Sequence, residues 1–103
     1  MLKLVTRQGR CAVCAFCDQC RKEITDAERA MYTWKKDAQR QPITGDIIFL
    51  HKGACDRAFS VGNVKSEWSW GELSWLPIYL GNNIGLDWDK TTASMVRFAE
   101  ATW

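Results

Sequence analysis

Polar and apolar positions change period several times along the chain, and each change marks an element. Ala30 to Lys36, AMYTWKK, alternates and is rich in aromatic and β-branched residues, which predicts a strand. Asp37 to Gly45 holds Pro42 and Gly45 and predicts a turn or loop. Asp46 to Lys52, DIIFLHK, is apolar enough for a strand buried on both faces, with His51 at its end. The two strands are expected to form a hairpin. ACDRAFSVG then predicts a short helical turn ending near Gly62.

In the last third, Ser69 and Glu72 stand at capping-box spacing before Leu73, Leu76, Leu80 and Ile84. This predicts a helix from about Trp70 to Asn83, with Pro77 as the objection that would kink it or delay its start. A second helix is expected over DWDKTTASMVRFAEATW, capped by Asp87 or Asp89, with Trp88, Met95, Phe98, Ala99 and Thr102 near one side. RCAVCAF reads as an extended segment with Cys14 and Phe16 on one face and Cys11 and Val13 on the other.

At 103 residues the chain is read as one domain, residues 1–103, with a cysteine-bearing part at about 10–60 and a Trp-rich helical tail at about 66–103. A core of this size often needs supplementing by a metal or an oligomer. Hydrophobic residues at 47% and charged residues at 25% are ordinary for a globular chain. The net charge of +2 is too small to argue nucleic-acid binding unless the charges cluster. MLKLVTRQGR lacks the apolar stretch of a secretory signal, and LSWLPIYLGNNIGL is too broken and too short for a membrane span. A cytoplasmic location is therefore expected, where five cysteines read as metal ligands or thiols before disulfides.

Four of the five fall at every third position, Cys11, Cys14, Cys17 and Cys20. Cys17 and Cys20 followed by Arg21 and Lys22 have the form of a zinc knuckle, in which a tight turn presents two thiolates while backbone amides stabilise their charge. His51 and Cys55, spaced H-x3-C, can supply the other two ligands of a tetrahedral site if a helical turn follows the strand. Knuckle, hairpin and ligand pair at a helix start, in that order, resemble a treble-clef zinc finger over roughly residues 16–59, with a His at the third ligand and a wider final spacing as departures. FCDQCRKEITDAERAMYTW…IIFLHKGACD also resembles a group of small uncharacterised bacterial proteins with a C-D-x-C…H-K/Q-x-x-C-D pattern and a Trp/Leu-rich C-terminal helix, some carried on mobile gene cassettes. That resemblance implies a treble-clef or zinc-ribbon domain and carries no activity.

Cys11 and Cys14 have three readings: free thiols on a strand, members of an iron–sulfur site with Cys17 and Cys20, or a redox C-x-x-C pair. The iron–sulfur reading would leave His51 and Cys55 without a role. A Cys3His site with all ligands from protein is closed, which argues for a structural zinc and against catalysis. His51 is the single histidine, so as a ligand it cannot also be a general base. Asp18, Asp46 and Asp56 lie near the ligands, where turn or helix capping is the simpler role.

The expected function is interaction. Six tryptophans are many for this length, and Trp68, Trp70, Trp75 and Trp88 form the candidate surface for a protein partner or self-association. Arg21, Lys22, Tyr32, Trp34, Lys35, Lys36 and Arg40 are a second, nucleic-acid candidate, diluted by interspersed acids.

Overall fold

The computed structural model describes residues 1–43 and 45–102, with residues 100–102 described by their backbone alone. It is a mixed α+β chain of two small antiparallel sheets and three α-helices. The first sheet holds β1 (Leu2–Arg7), β2 (Arg10–Phe16) and β3 (Glu23–Ile24), in that order. The second holds β4 (Ala30–Lys35) at its centre, with β5 (Ile48–His51) and β6 (Trp68–Glu72) on either side. The helices are α1 (Ala54–Val61), α2 (Leu76–Asn83) and α3 (Trp88–Thr102).

β1 was not anticipated from the sequence. It pairs along its whole length with β2, from Leu2↔Ala15 to Arg7↔Arg10. The two-residue connection Gln8-Gly9 has positive φ at both positions, 51° and 76°, the geometry of a type I′ turn whose twist matches that of the strands.

The β4–β5 hairpin forms as expected, in the register Met31↔Leu50. Successive residues of β5 are buried on opposite faces, Phe49 at 5% exposure and Leu50 at 0%. Leu50 joins Met31 and Cys17 in one core cluster, with Cys55 and Phe59 packed against it. Phe49 joins Ala30 and Leu73 in the other, with Ile24 and Leu76 alongside. The core is thus two thin layers on either side of β4 and β5, and the metal-ligand candidates belong to the first of them.

The expected helix over Trp70 to Asn83 is corrected in its first half. Residues Trp68–Glu72 are strand β6, paired to β4 in the register Thr33↔Trp70 and Tyr32↔Gly71. The capping box does not form, because Glu72 instead pairs with Lys52. A 3-10 turn, Leu73–Trp75, leads into α2, and Pro77 falls in its first turn, where the missing N–H costs nothing. The tail is therefore strand then helices. The helical pair is expected to pack on the hairpin through Leu73, Leu76, Leu80 and Met95; Leu73 and Leu76 do pack on the sheet, but Leu80 and Met95 are 54% and 67% exposed. Helical spacing placed both on an apolar stripe, and that stripe faces outward.

α2 closes with the 6→1 and 5→2 bonds of a Schellman motif, Leu86 N–H to Gly81 O at 2.8 Å and Gly85 N–H to Asn82 O at 3.3 Å, with Gly85 at φ 71°. Asp87 caps α3 by accepting from Lys90 N–H at 2.9 Å. The Trp88 ring lies directly on Gly81 and joins the two helices. The predicted place of Thr102 on the α3 stripe lies outside the described side chains.

Gly71 is a second close approach. A Cβ there would stand 2.7 Å from Cζ of Tyr32, whose ring covers the glycine and stacks on Trp34 at 5.5 Å. Gly71→Ala is expected to push the ring aside and lower stability by roughly 1–3 kcal/mol, read as a fall in the thermal midpoint with the metal bound.

Candidate metal centre

Cys17 directly follows β2, and the chain then reverses over CDQCRK. The reversal is closed by Cys17 N–H to Lys22 O at 2.9 Å and Arg21 N–H to Cys17 O at 3.0 Å. It requires a left-handed residue after the second cysteine, and Arg21 takes that conformation at φ 67°, where glycine is the unstrained choice. Asp18 fastens the turn to β5: its N–H donates to Phe49 O at 2.7 Å, and its carboxylate accepts from Phe49 N–H at 2.8 Å. The Asp18 carboxylate thus holds the knuckle against the strand that carries His51.

The other two ligands come from the strand-to-helix junction. His51 is the last residue of β5, Gly53 turns the chain at φ 85°, and Cys55 lies in the first turn of α1. The four ligand atoms of Cys17, Cys20, His51 and Cys55 lie within 4.8 Å of one another. His51 Nδ1 is 3.4 Å from Cys20 Sγ and 3.8 Å from Cys55 Sγ. A zinc ion with bonds of ~2.3 Å to sulfur and ~2.0–2.1 Å to nitrogen at tetrahedral angles would separate S and N by about 3.6 Å. The residues therefore fit a four-coordinate metal of the size and preference of zinc, with Nδ1 as the histidine donor.

The electrostatics point the same way. Burial alone would push the Cys17 thiol up, but the backbone N–H groups of Cys20, His51 and Gln19 donate to it and hold it down at about 6. One thiolate is thus stabilised without any metal. Cys55 is pushed up to about 11 by burial and by its neighbours Cys17 and Cys20, which disfavour further negative charge. A cluster that favours one thiolate and resists the next is relieved by a cation at its centre, which would let all three thiols ionise.

Cys11 and Cys14 lie on β2, outside this group. Cys11 is exposed and Cys14 half-buried, as the alternation of a strand requires. Glu23 beside Cys14 raises its pKa, the reverse of what an attacking thiol needs. The double variant Cys11→Ser/Cys14→Ser is expected to retain its full metal content and to change stability by no more than about 0.5 kcal/mol. Loss of metal on elemental analysis would overturn the four-ligand assignment.

Asp56 sits in the first turn of α1, where the helix dipole favours a carboxylate. Asp46 is exposed in the loop before β5. Of the tryptophans, Trp68 is half-buried and meets Phe59 edge-on at 5.0 Å, while Trp70, Trp75 and Trp88 are 57%, 49% and 45% exposed. The supports that sequence reasoning missed are Arg21, Gly53 and the tie from Asp18 to Phe49 on β5. For Gly53 a signal existed, a glycine between a strand and a helix; for Arg21 there was none, since arginine gives no hint of positive φ.

Comparisons of the chain with protein-family models, with curated proteins and with solved structures found no match. Among the described residues no helix is long and apolar enough to cross a membrane. Fold and site together define a small α+β chain with a Cys3His group able to hold a metal ion.

Proposed function

We propose that this chain is a zinc-stabilised interaction module of treble-clef type, without catalytic activity, whose helical tail pairs with a second copy of itself. The convergence of three cysteines and one histidine is the observation that carries the zinc reading. With four protein ligands the ion has no open position for water or substrate, so it serves the fold. The order of knuckle, hairpin and helix supports the treble clef, with His51 on the strand as the departure.

The tail supports the pairing. The radius of gyration of the whole chain, 16.4 Å, exceeds the ~13 Å of a compact chain of this length. α3 carries Met95 and Val96 at 67% and 51% exposure, and Ile84 before it is 67% exposed. A helix of 15 residues is marginal alone in water, and beyond the contact of Trp88 with Gly81 its exposed Met95 and Val96 call for further apolar burial. Trp88, Thr91, Met95 and Phe98 follow the three-four spacing of a helix-pairing seam, and a second copy offers the same seam across a two-fold axis.

Light scattering coupled to size exclusion tests this. A dimer that dissociates on dilution, and that Met95→Lys converts to monomer while the thermal transition persists, is the expected result. A monomer over a roughly hundredfold range of concentration would overturn the pairing.

A further inference from the structure

A cleft of about 780 Å³ lies between α1 and the β4–β6 face of the second sheet; none of the four metal-ligand candidates and no residue of α3 lines it. Its volume is that of a small-molecule site. We propose that it binds a small organic anion carrying a flat ring, with a nucleoside 5′-monophosphate as the chemical type.

The cleft is polarised along β6. At the start of that strand, Lys36 N–H donates to Glu67 O at 2.8 Å, which brings β4's end beside the 3-10 turn Lys65–Glu67. Lys36 and Lys65 are both lining residues of the cleft, and neither has an ion-pair partner among the described residues. Lys35, their neighbour, is the one that meets Glu67, at 3.9 Å. Two cations left without counter-charge on a concave wall are an anion site.

The middle is aromatic and apolar. Trp70 lies opposite Thr33 on the same face as Met31, and its 57% exposure leaves a ring available for stacking. Trp68 and Phe59, edge to face, form the wall beside it. The far end is acidic. Glu72 is already engaged by Lys52, whereas the Asp56 carboxylate lines the cleft with no partner among the described residues. Trp68 and Glu72 are four residues apart on one strand, so the backbone of β6 runs about 13 Å along the cleft between them. Anion, flat ring and hydrogen-bond donor, in that order, match a phosphate, a base and its amino group; an aromatic carboxylate shares the first two.

The test titrates the metal-loaded full chain at low salt, reading tryptophan fluorescence and calorimetric heat. The probes are adenosine 5′-monophosphate, adenosine, indole-3-acetate and inorganic phosphate. The monophosphate is expected to saturate with quenching, and adenosine and phosphate to bind at least about tenfold more weakly, because each keeps only part of the contact. Equal binding by indole-3-acetate assigns the anion to a carboxylate source and keeps the ring-plus-anion chemistry. Lys36→Gln/Lys65→Gln is expected to weaken binding by about tenfold or more with an unchanged thermal midpoint, and Trp70→Leu to remove most of the quench. No saturation at millimolar probe, equal affinity in the lysine variant, or phosphate binding as tightly as the monophosphate would each overturn the proposal. Running the titration on Met95→Lys as well separates it from self-association, since the cleft does not involve α3.

Discussion

Stripping the metal with a strong chelator is expected to abolish the cooperative unfolding transition of the whole chain. Structural zinc sites contribute an apparent ~10–16 kcal/mol near pH 7, at or above the ~5–15 kcal/mol that holds a typical domain together. Here the organic core has little reserve: among the described residues its buried hydrophobic members are Cys17, Ala30, Met31, Phe49, Leu50 and Leu73, and Cys17 is itself one of the ligand candidates. The ligand variants should rank. Cys17→Ser removes a fully buried sulfur that takes three backbone N–H groups, so it should prevent stable folding. Cys55→Ser, at a half-buried position on the first turn of α1, should leave a weakened but foldable chain. Circular dichroism during thermal melts, with and without chelator, checks both.

Acid should act in the same direction. In the metal-free chain the Cys17 thiol sits at about 6 against its ordinary 9.0. Its folded-state pKa is depressed, so the stabilisation is complete above pH 9, declines as pH falls and is gone below about 6. With the metal bound, proton competition for all four ligands adds to this loss.

The second large effect is expected at Leu50, where Leu50→Ala should cost about 2–5 kcal/mol. The side chain is fully buried between Met31 and Cys17, one position before His51. Neighbouring groups cannot collapse into the space freely, because the knuckle is tied to β5 through Asp18. The variant should therefore lose metal affinity along with stability. Leu4→Ala, at a position 71% exposed on β1, is the control and should stay within about 0.5 kcal/mol. Urea denaturation of the metal-loaded variants, followed by competition with a colorimetric chelator, measures the two consequences separately.

The parts of this fold that could be read from sequence are those where local pattern and tertiary demand agree. AMYTWK alternates because β4 is covered on both faces to different depths, and IFLH is apolar because β5 is buried on both. The convergence of Cys17, Cys20, His51 and Cys55 was legible because C-x2-C and H-x3-C spacings are imposed by turn and helix geometry. WSWGE was misread because a capping box is a local signal, while β4 had an open edge that a strand could satisfy with a full ladder of hydrogen bonds. β1 escaped notice because Leu2 and Leu4 alternate correctly but remain exposed, so no burial reinforced the pattern; the Gln8-Gly9 turn was the overlooked cue. Leu80 and Met95 show the limit of periodicity: it identifies the apolar face of a helix and says nothing of what covers it.

Metal content per chain tests the central claim most directly, measured by elemental analysis and native mass spectrometry on protein purified without added metal. One zinc per chain, lost together with the folded state on chelation, is the predicted result. A folded chain with no metal would contradict the account, and so would iron accompanied by sulfide, which would move the ligand set to the N-terminal cysteine run.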